Sequence, residues 1–163
     1  MNTIIQLLTE NYDGKPWIGT SILDVLKDIT PDMAIYRELT TDKNIFDYVW
    51  HIVSWRRFVI ERLGGNDSYD IEINSDLDWT HNLNPSQNQW LQLREILAAT
   101  QVILLRRLVQ APATLLSQQV KGKDYTYFAL LHGIVQHDMY HLGQVALAKQ
   151  NIAKVDNLLL KAA

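Results

Sequence analysis

Between Tyr125 and Gln150 the chain runs for about seven helical turns without a proline, and its apolar residues recur with an α-helical period. One stripe reads Phe128, Leu131, Val135, Met139, Leu142 and Ala146, which is ordinary packing. A second reads Leu130, Ile134, His137, His141, Val145 and Ala148. A helix with two such stripes must be covered over a wide face, and other helices are the natural cover. His137 and His141 occupy positions that are otherwise apolar, so a solvated imidazole pair is not what the pattern describes. Gly133 and Gly143 each cost about 1 kcal/mol against alanine in mid-helix, which suggests close approach of a neighbouring helix or a ligand. Asp124 is the expected N-cap.

The rest of the chain supplies the cover. A second long helix is expected from Lys43 to Leu63, capped by Asp42 and ended by Gly64-Gly65. Its inner stripe is Ile45, Tyr48, Ile52, Trp55 and Val59, with His51 on the same side. A third opens at Pro85 or Ser86 and runs to Gln110, with the core stripe Trp90, Leu93, Leu97, Thr100, Leu104 and Leu108. Shorter helices are expected over residues 3–12 and 22–29, the latter capped by Ser21 and stopped at Thr30-Pro31. Further helical turns are expected at 32–36, at 114–119 and after Asp156, as a cap for a short C-terminal helix. Residues 66–84 are acidic and turn-rich, a loop that is either lid-like or merely solvated, with His81 exposed in it. No strand pattern and no repeat is present, so an all-α helical bundle follows, one domain over residues 1–163.

Composition removes several function classes. A net charge of −3 without a Lys/Arg cluster argues against nucleic acid or an anionic membrane as partner. The basic doublets Arg56-Arg57 and Arg106-Arg107 read as solvated flanks of helices. With no cysteine there are no disulfides, no thiolate ligands and no cysteine nucleophile, so a thiol taking part in any reaction must come from outside. The N-terminus has no basic region ahead of a long apolar core, and no apolar run reaches bilayer length, so the protein is expected in the cytoplasm.

Residues i and i+4 of a helix share a face, about 40° and 6 Å apart, so His137 and His141 can converge on one divalent ion. Two histidines need a third ligand. No histidine or glutamate follows His141, and Asp138 stands where H-E-x-x-H peptidases have glutamate, so that reading is weak. The Glu-x-x-His pairs of di-iron bundles are also missing. The buried His51, on a facing helix, is the natural third ligand. His132 is about 140° from His137 and lies off that stripe, as a packing or hydrogen-bonding residue.

The segment Trp50-His51-Ile52-Val53-Ser54-Trp55-Arg56, preceded by Asn44-Ile45, resembles the first signature of the DinB/YfiT-like superfamily. The segment His132-Gly133-x-x-Gln136-His137-Asp138-x-Tyr140-His141-x-Gly143-Gln144 resembles the second, and Pro16-Trp17-x-Gly19-Thr20-Ser21-Ile22-Leu23 is similar to the opening of one branch. The resemblance spans essentially the whole chain. It implies a four-helix bundle of up-up-down-down type, often a homodimer, with a divalent metal on His51, His137 and His141. Members include metal-dependent hydrolases and enzymes that transfer low-molecular-weight thiols such as bacillithiol, mycothiol or glutathione.

Three neutral imidazoles leave a metal position open, which is the catalytic rather than the structural pattern. Zinc or nickel is the expected ion, with iron and manganese as alternatives, although imidazole donors taken alone suit zinc, nickel, copper and iron alike. Asp138, Tyr140 and Gln144 are candidates for orienting the imidazoles, Asp138 alternatively for pairing with an arginine. Tyr48 and Trp55, one turn either side of His51, are candidates for the pocket wall. The expected function is a metal-dependent transferase of an external thiol, or a hydrolase, acting on a small molecule. The alternative is a non-catalytic metal-binding or dimeric interaction bundle related to a stress response.

Overall fold

A capping side chain opens most of the helices of this chain. The computed structural model describes residues 1–37, 42–82 and 84–162, with the backbone alone from 156 onward. Within them lie α1 (Asn2–Asp13), α2 (Ile22–Leu26), α3 (Pro31–Ile35), α4 (Ile45–Leu63), α5 (Gln87–Gln110), a 3-10 turn (Ala113–Ser117) and α6 (Tyr127–Ala162). The described residues form no strand, and the chain is all-α.

The cap of α4 is Asn44 rather than Asp42. Asn44 accepts from the Asp47 amide at 2.9 Å while Asp47 accepts from the Asn44 amide at 3.0 Å. Only Asn44 has a carboxylate three residues ahead to close this reciprocal pair. Ser21 with Asp24, and Ser86 with Gln89, repeat the device on α2 and α5. The cap of α6 is Thr126, not Asp124, because its hydroxyl accepts from the Ala129 amide. Backbone bonds between Gln118 and Tyr127 and between Val120 and Tyr125 fold the preceding loop tightly and deliver the chain to that point. The helical turn expected at 114–119 is instead a 3-10 turn seated on Pro112. The separate C-terminal helix expected after Asp156 does not form. Residues 152–161 contain no glycine or proline, and α6 continues through them.

Helix α4 packs on α5 and α6, and α1 packs on the same two. The core divides into two apolar clusters. One gathers Ile22, Ile45, Val53, Trp90, Leu97 and Leu142, and the other Leu8, Phe58, Leu104, Leu108, Leu131 and Val135. Between them in sequence on each long helix sits a buried polar residue: Arg56 on α4, Gln101 on α5 and Asp138 on α6. Arg56 is fully buried, which overturns its reading as a solvated flank, whereas Arg57, Arg106 and Arg107 are exposed. Its Nε donates to Asp138 Oδ2 at 2.8 Å and its NH1 to Gln101 Oε1 at 3.0 Å. Gln101 in turn donates to the Leu8 carbonyl of α1, and the Tyr12 ring lies 5.5 Å from the guanidinium. One polar layer therefore joins four helices. A buried charge is tolerated only when paired in this way.

Phe128 departs from the packing expected of it: it is half exposed, with its ring stacked on His132 at 5.8 Å. No helix among the described residues is long and apolar enough to cross a membrane.

Candidate metal centre

His51 comes from the middle of α4, and His137 and His141 from successive turns of α6. Packing of α4 on α6 brings the three rings together, with centroids 4.4 to 4.8 Å apart. One nitrogen from each falls within 4.8 Å of the others, a group that could hold a metal ion. The closest pair is His51 Nε2 and His137 Nε2, at 3.0 Å. Two imidazole nitrogens on one tetrahedral zinc stand about 3.3 Å apart, so the spacing is that of co-ligands.

The tautomers favour a cation there. His51 Nδ1 faces two acceptors, the Asp78 carbonyl at 2.9 Å and Asp78 Oδ1 at 3.0 Å, and must carry the proton. His141 Nδ1 faces Gln144 Oε1 and is protonated for the same reason. Burial holds the His51 pKa below the usual imidazole value. Burial, reinforced by the neighbouring imidazoles, pushes His141 down to about 4. Both rings are therefore neutral at pH 7 and turn an Nε2 lone pair toward the centre.

His137 completes the test. With only a proton available, its Nε2–H would donate to His51 and leave an Nδ1 lone pair beside Asp138 Oδ1. Those two atoms are buried, lack hydrogen-bond partners and lie 3.8 Å apart. With a cation on the three Nε2 atoms, His137 Nδ1 carries the proton instead, and the two atoms become donor and acceptor. The donor set fits a divalent metal.

The walls are aromatic. Trp79 stacks face to face on His51 at 3.9 Å and meets His141 edge-on. Tyr48 stacks on His141, and Trp55 lies tilted against His137. The Tyr140 ring touches His141 edge-on, but the residue is 67% exposed. Asp138 makes its hydrogen bond with Arg56 and only approaches His137. His132 stands apart from the cluster, and His81 is exposed and paired with Asp76.

Asp78 and Trp79 are missing from the sequence reading, which treats 66–84 as one acidic loop. Asp78 is nonetheless 2% exposed. Its carboxylate accepts from the Trp55 indole at 2.9 Å and the Asn74 amide at 2.8 Å, and this clamps the loop onto α4 beside His51. A tryptophan next to an aspartate in a polar stretch was the available signal.

Two cavities flank the histidines. One of about 360 Å³ borders His137 and is almost wholly apolar. The other, about 150 Å³, is more polar and runs past Tyr48, Lys43 and Gln144. The close helix neighbour expected at Gly133 and Gly143 is absent: a Cβ at either would meet open space. Gly133 instead lines the apolar cavity.

The depressed pKa values fix a pH dependence for the metal-free protein. An unfolded chain titrates its histidines near 6.5, above the folded values, so the unfolded state binds more protons in the interval. The stability contributed by neutral His51 and His141 is complete above about pH 6.5 and is lost as the pH falls toward 4. Urea midpoints measured at pH 7.5 and pH 5 should show this fall, and His141→Gln should flatten it. An equal slope in the variant would contradict the assignment.

Residues 19–145 match the family model described as the DinB superfamily. No curated protein and no solved structure matches the chain.

Proposed function

The chain belongs to the DinB superfamily, and on that premise we propose that it is a metal-dependent enzyme with His51, His137 and His141 as ligands. The single observation that carries the proposal is the convergence of three imidazoles, two of them pinned by Nδ1 partners so that Nε2 faces the centre. The proposed ion is zinc or nickel, with iron or manganese as alternatives. When bound, such an ion supplies Lewis acidity to a hydrolysis or to the activation of a low-molecular-weight thiol. The chain has no cysteine, so in the transferase reading the thiol is a second small molecule.

The remaining roles fall to the protein. Asp78 and Gln144 hold the Nδ1 protons of His51 and His141 and so fix both rings. Asp138, anchored by Arg56, stands ready to do the same for His137. Trp79 and Trp55 exclude water from two sides of the cluster. The same reading makes the protein one domain over residues 1–163, a four-helix bundle of up-up-down-down sense. Its support is that α1 and α4 both pack on α5 and α6. It further makes the protein a homodimer of the cytoplasm acting on a small molecule, with neither nucleic acid nor membrane as partner.

Elemental analysis of untagged protein and of His141→Ala tests the centre. About one transition metal per chain, lost in the variant, is the expected result and opens a screen of thiols, electrophiles and esters with that metal. Protein that takes up no metal after incubation with Zn²⁺ and Ni²⁺ would overturn the proposal and leave a non-catalytic bundle.

A further inference from the structure

The cavity beside His137 is lined by Trp55 and Val59 from α4, by Tyr125 from the loop before α6, and by residues of α6 that include Ala129, Gly133 and His137. None of these side chains is an aspartate, glutamate, lysine or arginine. The polar atom of Trp55 is already engaged, its indole N–H donating to Asp78, so the cavity meets the apolar part of the ring. Gly133 sits inside α6, and beyond its chain neighbours and the helix's own backbone nothing among the described residues lies within 4 Å of the place a Cβ would take. A helix position with room for a side chain, filled by the residue that after proline least favours helix, leaves that space to something else.

We infer that this cavity is the subsite for an uncharged hydrocarbon group, aryl or alkyl, of the small molecule whose reacting bond lies at the three histidines. The inference rests on the metal-centre reading above. His137 is the continuity between the two, since it belongs to the cluster and to the cavity wall. A charged group would give up part of its water here and find no lysine, arginine or carboxylate in the wall. The volume suits the purpose. A cavity of about 150 Å³ takes up one benzene ring, so about 360 Å³ admits a fused two-ring hydrocarbon.

The test is a titration of ¹⁵N-labelled, metal-free protein with naphthalene and, separately, with 2-naphthoate. Naphthalene is expected to move the amide signals of Ala129, Gly133 and Ile134 and to bind about tenfold more tightly than the carboxylate. Gly133→Leu fills the cavity without replacing a ligand and should weaken naphthalene by about tenfold or more. Ala129 is exposed, so Ala129→Trp provides the same block should Gly133→Leu not fold. Signals that move elsewhere, or equal affinity in wild type and both variants, would overturn the inference. So would a dimer that the two variants split in sedimentation while naphthalene leaves those amides unmoved, because the cavity is then an interface between copies. The titration needs no metal, which separates the two readings. A chain that takes naphthalene but no metal overturns the metal centre. One that takes equal metal in wild type and Gly133→Leu, but no naphthalene, overturns the subsite alone.

Discussion

Replacing Asp138 by alanine is expected to lower folding stability by about 3–5 kcal/mol, measured as the urea unfolding free energy of the metal-free protein. The cause is the charge left behind. Arg56 is fully buried, its Nε donates to Asp138, and its NH1 donates to the neutral oxygen of Gln101. Removing the carboxylate strands a guanidinium where water cannot reach it. Restoring apolar packing should reverse most of the loss, so Arg56→Met combined with Asp138→Leu is expected to lie far closer to wild type than Asp138→Ala alone. If the double variant is as unstable as the single one, the stranded charge is not the cause and the layer stabilises by some other means.

Asp78→Ala carries the second large effect, about 3 kcal/mol of stability together with a 10- to 100-fold loss of metal affinity. The carboxylate accepts from the Trp55 indole and the Asn74 amide and lies 3.0 Å from His51 Nδ1. Hydrogen bonds to a charged acceptor are each worth roughly 1.5–3 kcal/mol, and two are lost outright. The backbone carbonyl of residue 78 still meets His51, so the imidazole keeps its tautomer, and affinity falls without vanishing. Asp76→Ala is the control. Its carboxylate is 84% exposed, and neither stability nor metal uptake should change measurably. Isothermal titration with Zn²⁺ and urea melts of both variants give the comparison, and equal behaviour of Asp76→Ala and Asp78→Ala would remove Asp78 from the centre.

These two residues mark where the sequence was legible and where it was not. His51, His137 and His141 stood on helical stripes, and a period of 3.6 says which positions share a face, so their meeting could be anticipated from α4 and α6 alone. Arg56 was on such a stripe too, three and four residues from Val59 and Ile52. Its basic neighbour Arg57 encouraged a surface reading that the period itself opposed. Asp78 and Trp79 had no period to betray them, because a loop buries residues one at a time through contacts distant in sequence. Helix starts were shifted by up to two residues for a related reason. Asn44 wins over Asp42 through a reciprocal bond with Asp47, and propensity taken residue by residue does not weigh such pairs. The apolar cavity was foreshadowed by Gly133, whose unfavourable place in a helix gave the signal without saying what would fill the space.

The polar layer has a consequence for alignment along the helix axes. A slip of α6 past α4 by one turn, about 5.4 Å, would carry apolar residues of each cluster onto other apolar residues at modest cost. The same slip would part Arg56 from Asp138 and bury two opposite charges alone. Hydrocarbon sets how tightly these helices pack, while a single ion pair sets their axial register. That register decides whether His51 stands opposite His137 or one turn away from it.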